Sequence, residues 1–198
     1  MPPQELDENT QLMMKVKQGD LRAYEELVNR HKRVVVNVIY KMIGDENEAQ
    51  DVAQNVFIQI WKAAPRYEPT AKFTTWMFTI ARNLALNEIR RRGVHRHDSL
   101  QGSQKPDDEA SEPQFADTTQ KEPSHYVLGA ELEEKIREAL DSLPENQRTA
   151  LILRRYEDMA YEEIAEILKC SVGATKSIIF RARETMKERL KEYLGRDV

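Results

Sequence analysis

Residues 161–183 read YEEIAEILKCSVGATKSIIFRAR, and their reading decides the C-terminal half of the chain. Two short helical patterns meet at a tight break. In the first, Ile164, Ala165 and Leu168 fall on one face. Cys170 and Ser171 make the turn, and Ser171 is placed to cap the helix that follows. Gly173 and Ala174 are small and stand where that helix must start close to its neighbour. Ile178, Ile179, Ala182, Met186 and Leu190 are its apolar positions, and Thr175, Lys176, Ser177, Phe180, Arg181 and Arg183 are expected to be exposed. A support helix, a turn of a few residues and a second helix with a basic face form the layout of a DNA-reading helix-turn-helix. Lysine and arginine there can donate to phosphate or to guanine edges, and Ser171 with the free amides of the first turn can hold a phosphate. A plain helical hairpin with a solvated basic face has the same spacing, so the residues alone leave both readings open.

Upstream, residues 130–141 form one amphipathic pattern through Leu132, Ile136, Ala139 and Leu140, and LPENQ at 143–147 restarts the chain with Pro144 at a helix beginning. Leu151, Ile152 and Tyr156 line the next helix. Charge is unevenly placed. Residues 131–167 hold 5 basic and 11 acidic groups, whereas residues 168–198 hold 8 and 4. A polyanion would therefore meet the basic end, although the whole chain carries a formal net charge of -4.

Residues 93–125, GVHRHDSLQGSQKPDDEASEPQFADTTQKEPSH, lose all apolar periodicity. Such a segment buries too little apolar surface to offset the entropy of ordering it. It reads as a flexible acidic linker over 93–129, or as a partly ordered surface loop.

The N-terminal part is helical throughout. A short helix near 9–18 ends at Gly19, and residues 21–42 carry an apolar stripe from Leu21 and Tyr24 to Ile39 and Met42. Asp45 and Glu48 have capping-box spacing, and Ala49, Val52, Ala53, Val56, Phe57, Ile60 and Trp61 form the stripe that follows. Asp51, Gln54, Asn55 and Gln59 face other ways, leaving a polar face fit for solvent or a partner. After the break at Pro65–Pro69, FTTWMFTIARNLALNEIRR runs as a helix over about 73–91. It is aromatic, amide-bearing and basic at once, through Phe73, Trp76, Asn83, Asn87, Arg90, Arg91 and Arg92. Single-stranded DNA sites use that mixture, with rings to stack bases and cations for the backbone. Aromatic residues at helical spacing also build cores, and composition does not choose between the two.

Both modules resemble the bacterial RNA polymerase sigma-70 family, in its extracytoplasmic-function group. DVAQNVFIQIWK and KFTTWMFTIARNLALNEIRRR carry the resemblance to region 2, over about 8–92. The run from LPENQRTALILRRYEDMA to RARETMKERL carries the resemblance to region 4, over about 130–194. The fold implied is all-α, with two small helical domains joined by the linker. The resemblance implies a factor that binds core polymerase, reads the -10 and -35 promoter elements and initiates transcription without covalent chemistry or cofactor. It assigns Asp51, Gln54, Asn55, Phe57 and Trp61 to the coiled coil of the largest polymerase subunit. Lys72, Trp76, Asn83, Asn87, Arg90, Arg91 and Arg92 fall to the -10 element, where a base of the non-template strand is captured much as in base flipping. Ser171, Thr175, Lys176, Ser177, Phe180, Arg181 and Arg183 fall to the -35 element. The flap of the second-largest subunit and an anti-sigma factor are further implied partners, and the location implied is cytoplasmic, nucleoid-associated in holoenzyme. The family often has Val within the stretch that is Ala174-Thr175-Lys176 here, and a basic or polar residue at Ile178, so Ile178 either packs or meets a thymine methyl and no -35 sequence is transferred. The linker is long for this group.

Other classes have less to stand on. A dimeric helix-turn-helix regulator that needs no polymerase would share the C-terminal half and bind a palindrome. An enzyme would need a motif. His31, His95, His97 and His125 are scattered, no HExxH or glycine-rich phosphate loop occurs, and the one cysteine, Cys170, excludes an intramolecular disulfide. The start, MPPQELDENT, lacks the apolar run of a signal peptide, and no run approaches the roughly 20 apolar residues of a membrane span.

Overall fold

The computed structural model describes residues 6–99 and 123–195, with the side chains of 93–99, 123–130, 192 and 194 outside that description. Its elements are α1 (Glu8–Lys17), α2 (Leu21–Ile43), α3 (Glu46–Ala63), α4 (Phe73–Ser99), α5 (Pro123–Asp141), α6 (Glu145–Tyr156), α7 (Tyr161–Leu168) and α8 (Val172–Leu194), with a 3-10 turn at Ala64–Arg66. No strand occurs among the described residues.

Local chemistry sets the helix starts. Asp7 accepts from the amides of Asn9 and Thr10, Asp20 from those of Arg22 and Ala23, and Asp45 from that of Glu48 at 3.0 Å. Each satisfies amides that a helix N-terminus leaves bare. The junction between α2 and α3 is compact because Gly44 ends α2 at φ 77, a left-handed conformation that costs glycine little. Asp45 then opens α3 at once. Helix α4 starts differently. The Phe73 amide donates to Thr10 Oγ1 at 3.2 Å, so a side chain of α1 caps α4 across the core. Lys17 Nζ donates to the Tyr67 carbonyl at 2.7 Å and ties down the loop before α4.

The first four helices enclose one core, with α2 packed on α1, α3 and α4. Leu27, Ile39, Met42, Val56, Ile60, Phe73 and Met77 are fully buried there. Covering each contributes about 1.5–3 kcal/mol. Along α4 the residues at 73, 77, 81 and 85 are Phe, Met, Ala and Ala, all without exposure, and the two alanines let α4 approach its neighbours closely. Leu21, placed in the α2 stripe by its spacing, is exposed in the first turn instead. In the C-terminal half α6, α7 and α8 pack together around Ile152, Leu153, Ile164, Ile167 and Ile179, with α5 laid on α8.

Helix reaches into the expected linker from both sides. Helix α4 runs on to Ser99, and α5 begins at Pro123, a residue suited to a first helical turn because its missing N–H is not needed there. The remainder of that stretch, residues 100–122, lies outside the described residues.

The two halves touch. The C-terminal end of α2 meets α5 and α6, and α4 meets α7. Arg148 on α6 donates to the Met42 carbonyl at 2.9 Å and to the Asp141 carbonyl at 2.6 Å, which binds the end of α2 to the turn between α5 and α6. Lys41 Nζ stands 4.1 Å from the centre of the Tyr156 ring.

Candidate nucleic-acid and partner interfaces

Three surfaces gather the residues that the sequence singles out. The first is the turn and α8. Lys169 closes α7 at φ 54, its neighbour Cys170 donates an amide to the Ala165 carbonyl at 3.0 Å, and Ser171 Oγ accepts from the Ala174 amide at 3.1 Å. The turn is therefore held by hydrogen bonds at both ends. Lys176, Ser177, Phe180, Arg181 and Arg183 come together around a depression of about 630 Å³, with Tyr161 at its side. Phe180 is 65% exposed, unusual for so large an apolar ring. Lys176 Nζ lies 5.7 Å from the Tyr161 ring.

Thr175 does not belong to this face. It has 0% exposure, and its hydroxyl donates to the Ser171 carbonyl at 3.2 Å and lies 3.3 Å from Cys170 Sγ. It fastens the turn from inside. Ile178 is partly buried and packs against the core. Gly173 is not pressed by a neighbour either: a Cβ there would meet nothing closer than Ser171 Oγ at 4.0 Å.

The second surface is α4 and the loop before it. Trp76 is half-buried, with ring centres 4.8 Å from Tyr67 and 6.2 Å from Phe73. It belongs to an aromatic cluster and remains partly exposed. Asn83 and Asn87 are exposed one turn apart, with Arg90 next along the same strip. Lys72 pairs with Glu163 at 2.9 Å, and this hydrogen bond raises the pKa of its ammonium. Partial burial pushes the Glu163 carboxyl up, yet Lys72 and the Ala160 amide outweigh it and leave it below the ordinary carboxylate range. Arg82 donates to Asn146 Oδ1 at 2.7 Å, and burial lowers its pKa. The three consecutive arginines, all assigned to the -10 element by the resemblance, diverge. Arg90 reaches Glu145 at 3.2 Å. Arg91 pairs with Glu88 at 2.8 Å, and Arg92 with Glu88 at 3.2 Å and Asp45 at 3.5 Å. Arg91 and Arg92 thus brace α4 against the start of α3.

The third surface is the outer strip of α3. Asp51, Gln54, Asn55, Ile58 and Trp61 follow helical spacing, with Ile58 39% and Trp61 36% exposed. Trp61, read as a member of the buried stripe, instead leans on Tyr24 with ring centres 4.9 Å apart, and Tyr24 donates its hydroxyl to the Phe57 carbonyl at 3.0 Å. Phe57 itself is buried and contributes the floor of a groove. That groove, about 760 Å³, runs between α2 and α3 and is walled by Tyr24, Val28, Val36, Tyr40 and Ile58, with Lys32, Arg33, Gln50 and Gln54 also lining it. Sequence reading missed Val36, Tyr40 and Ile58. The signal was a row at 24, 28, 36 and 40, beside the buried stripe and in step with the helix. A smaller cleft of about 280 Å³ between α3 and α4 brings Asn55, Gln59 and Lys62 beside Asn87 and Arg91. Asn55 is thereby on the border between the second and third surfaces.

Comparison with known proteins gives these surfaces a family. Residues 27–94 match the family Sigma-70 region 2, and residues 133–186 match Sigma-70, region 4. The RNA polymerase sigma-H factor of Pseudomonas aeruginosa is 37% identical over 188 residues, covering 95% of this chain and 96% of the relative. The chain belongs to the sigma-70 family, among the extracytoplasmic-function sigma factors. The ECF RNA polymerase sigma-E factor of Haemophilus influenzae is 33% identical over 181 residues, covering 90% of this sigma factor and 93% of the relative. The fold is shared with CnrH in complex with the cytosolic domain of CnrY, at TM-score 0.67 and 22% identity over 97% of this chain and 100% of that one. It is shared also with the sigma factor RpoE in complex with the anti-sigma factor NepR from Bartonella quintana, at TM-score 0.66 and 23% identity over 86% and 98%. The first surface lies within the region 4 match, and the second surface, through Arg92, and the α3 strip lie within the region 2 match.

Proposed function

We propose that the chain binds core RNA polymerase through the α3 strip and the α2–α3 groove, and places two DNA-reading surfaces on a promoter. The observation that carries this is an apolar groove of about 760 Å³ beside Asp51, Gln54 and Ile58, a surface with no use in a monomer that only binds DNA. A helical partner such as the coiled coil of the largest polymerase subunit would lay apolar side chains into the groove and meet Asp51, Gln54 and Asn55 at its rim. The α8 face, without Thr175, reads the -35 element. Phe180 offers apolar surface to a thymine methyl, while Lys176 and Arg181 offer donors to phosphate or guanine. The α4 face, through Lys72, Trp76, Asn83, Asn87 and Arg90, takes the -10 strand as it opens. Contact of the C-terminal half with the flap of the second-largest subunit completes the assembly.

The chain acts by positioning, without covalent chemistry. No described helix is long and apolar enough to cross a membrane, which fits action in the cytoplasm. An anti-sigma factor is the expected antagonist, since both structural neighbours named above are held by a second protein.

Mixing the purified chain with bacterial core polymerase and separating by size tests the reading. Stoichiometric co-elution is expected, and Asp51→Ala with Gln54→Ala should weaken it. A chain that fails to co-elute, runs as a dimer and shifts a palindromic duplex would be a polymerase-independent regulator instead.

A further inference from the structure

Helix α1 lies before the segment that matches the family, which begins at residue 27, yet it grips the loop that leads into α4. That loop, residues 67–72, has little of its own to hold it. Between Ala64 and Phe73, Tyr67 is the one buried residue, and Glu68, Pro69, Thr70 and Lys72 are exposed. A segment with so few buried apolar groups opens locally at low cost unless something outside ties it. Helix α1 ties both ends. Lys17 Nζ donates to the Tyr67 carbonyl at 2.7 Å, and Thr10 Oγ1 accepts from the Phe73 amide at 3.2 Å.

Both ties are themselves held in place. The Thr10 side chain is buried, and its hydroxyl donates to the Asp7 carboxylate that caps α1, so the oxygen stays aimed at the Phe73 amide. Lys17 is half-buried and has no carboxylate partner among the described residues. Its ammonium goes instead to a backbone carbonyl 50 residues along the chain, a charge-assisted bond stronger than a neutral one. Met13 and Val16, which lie between Thr10 and Lys17 in sequence, are buried and key α1 to the core. Helix α2 adds a further hold, with His31 Nε2 3.2 Å from Asn9 Oδ1 and the His31 ring centre 5.5 Å from that of Phe73. Tyr67, fixed by Lys17, stacks at 4.8 Å on Trp76, so the same tie reaches the aromatic group on the α4 face.

We propose that α1 is a brace for strand capture, with Lys17 and Thr10 as positioning residues that hold the 67–72 loop and the Tyr67–Trp76 ring pair in the shape that receives an unstacked base. This deepens, and rests on, the reading of α4 as the surface for the -10 strand. A loop already held in its receiving shape loses less entropy on taking a base than a loose one. With the Lys17 bond gone and about one loop in ten left in that shape, apparent affinity for the opened strand falls about tenfold. Docking of polymerase on α3 and duplex binding through α8 use other surfaces, so the brace acts on opening alone.

The test uses holoenzyme assembled from core polymerase and the full chain. The probes are a promoter duplex selected from random DNA by the wild-type holoenzyme, and the same duplex with its -10 region pre-opened by mismatches. Lys17→Met keeps an apolar stem and removes the donor. It should lower affinity for the pre-opened promoter and the yield of permanganate-reactive open complex about tenfold, and leave core binding and closed-complex binding within about twofold. Hydrogen exchange in the peptide 66–76 of the free chain should quicken. Lys17→Arg, which can still donate to the carbonyl, should restore most of the loss. Thr10→Val should act like Lys17→Met, and Thr10→Ser should restore it. Val38→Ala, which removes buried methyl groups from α2, should lower the melting temperature without slowing opening. If Lys17→Met opens the promoter like wild type while Asn83→Ala does not, the brace is wrong and the reading of α4 stands. If Val38→Ala slows opening as much as Lys17→Met at an equal loss of melting temperature, α1 acts through stability alone and the proposal fails. If Asn83→Ala and Trp76→Ala both open the promoter like wild type, the reading of α4 itself falls, and the brace with it.

Discussion

Ile58 offers a sharp test of the polymerase surface. It stands on the α3 strip between Gln54 and Trp61, at the edge of both the α2–α3 groove and the α3–α4 cleft. With 39% of its surface exposed, about three-fifths of it is already covered by the fold, so a change to aspartate should cost the fold about 1–2 kcal/mol. A partner filling the groove would cover the remainder. Full burial of an isoleucine contributes about 1.5–3 kcal/mol, so the part still available contributes about 1 kcal/mol. Aspartate at 58 loses that and adds an unpaired carboxylate under the partner, a further cost of about 1–3 kcal/mol. The sum, about 2–4 kcal/mol, corresponds to core-polymerase binding weakened about 30- to 900-fold. Competition of Ile58→Asp against labelled wild-type chain for core polymerase measures it, and thermal melting by circular dichroism checks the fold. A variant that melts cooperatively within a few degrees of wild type and competes within about threefold of it would refute the groove as the docking site, since no partner could cover an aspartate there so cheaply. A fall in melting temperature of about 10 °C would refute the other half of the reasoning, because it would place Ile58 in the fold.

Three further outcomes follow from the geometry. Thr175→Val keeps the buried volume and removes the hydroxyl that bonds Ser171, so it should lower stability by about 1 kcal/mol and leave affinity for a -35 duplex within about twofold; a large loss of affinity at unchanged stability would return Thr175 to the DNA face. Ser171→Ala should shift the urea midpoint by the equivalent of about 1 kcal/mol and Ser171→Gly by much less, and equal losses would mean that the hydroxyl is not the cap. His31 is held below its ordinary pKa of 6.5, first by burial and then by the charge of Arg30. Below 6.5 the unfolded chain binds a proton that the folded chain resists, so stability falls as pH drops from 6.5 toward the folded value. The melting temperature of wild type should therefore drop more between about pH 7.5 and pH 5.5 than that of His31→Gln, and parallel slopes would count against the burial of this ring.

What the sequence reveals most clearly is whatever is decided within a few residues. The caps at Asp45 and Ser171 were legible because the donor amides lie three positions downstream of the acceptor. The Asp45–Glu48 pair was legible only in part. Asp45 caps as its spacing predicts, but the Glu48 carboxylate faces Arg91 and Arg92 from α4. The burial of Thr175 was also written in the chain. Positions 175, 179, 182 and 186 repeat at four, three and four, which puts Thr175 on the face of Ile179 and Ala182. Its hydroxyl concealed this, since a polar residue beside Lys176 reads as part of the basic face.

The three arginines at 90–92 show why surfaces are harder to read than stripes. Consecutive residues on a helix point about 100° apart, so an unbroken run of one charge cannot form one patch. Arg90 crosses to the other half, while Arg91 and Arg92 turn back to Glu88 and the start of α3. Their partners lie at sequence separations from 3 to 55, and nothing local selects among them. The uneven charge of the chain shows where acid and base are in excess, with 14 basic and 12 acidic groups before residue 93 against 5 and 11 at 131–167. It does not give the register. That is set by the end of α2, where the Met42 carbonyl receives Arg148 across a separation of 106 residues. With that point fixed, Glu145 and Asn146, in the first turn of the same helix as Arg148, are carried to Arg90 and Arg82. The contact of Arg148 with the end of α2 therefore carries Glu145 and Asn146 to α4, a register that no local pattern within α4 reveals.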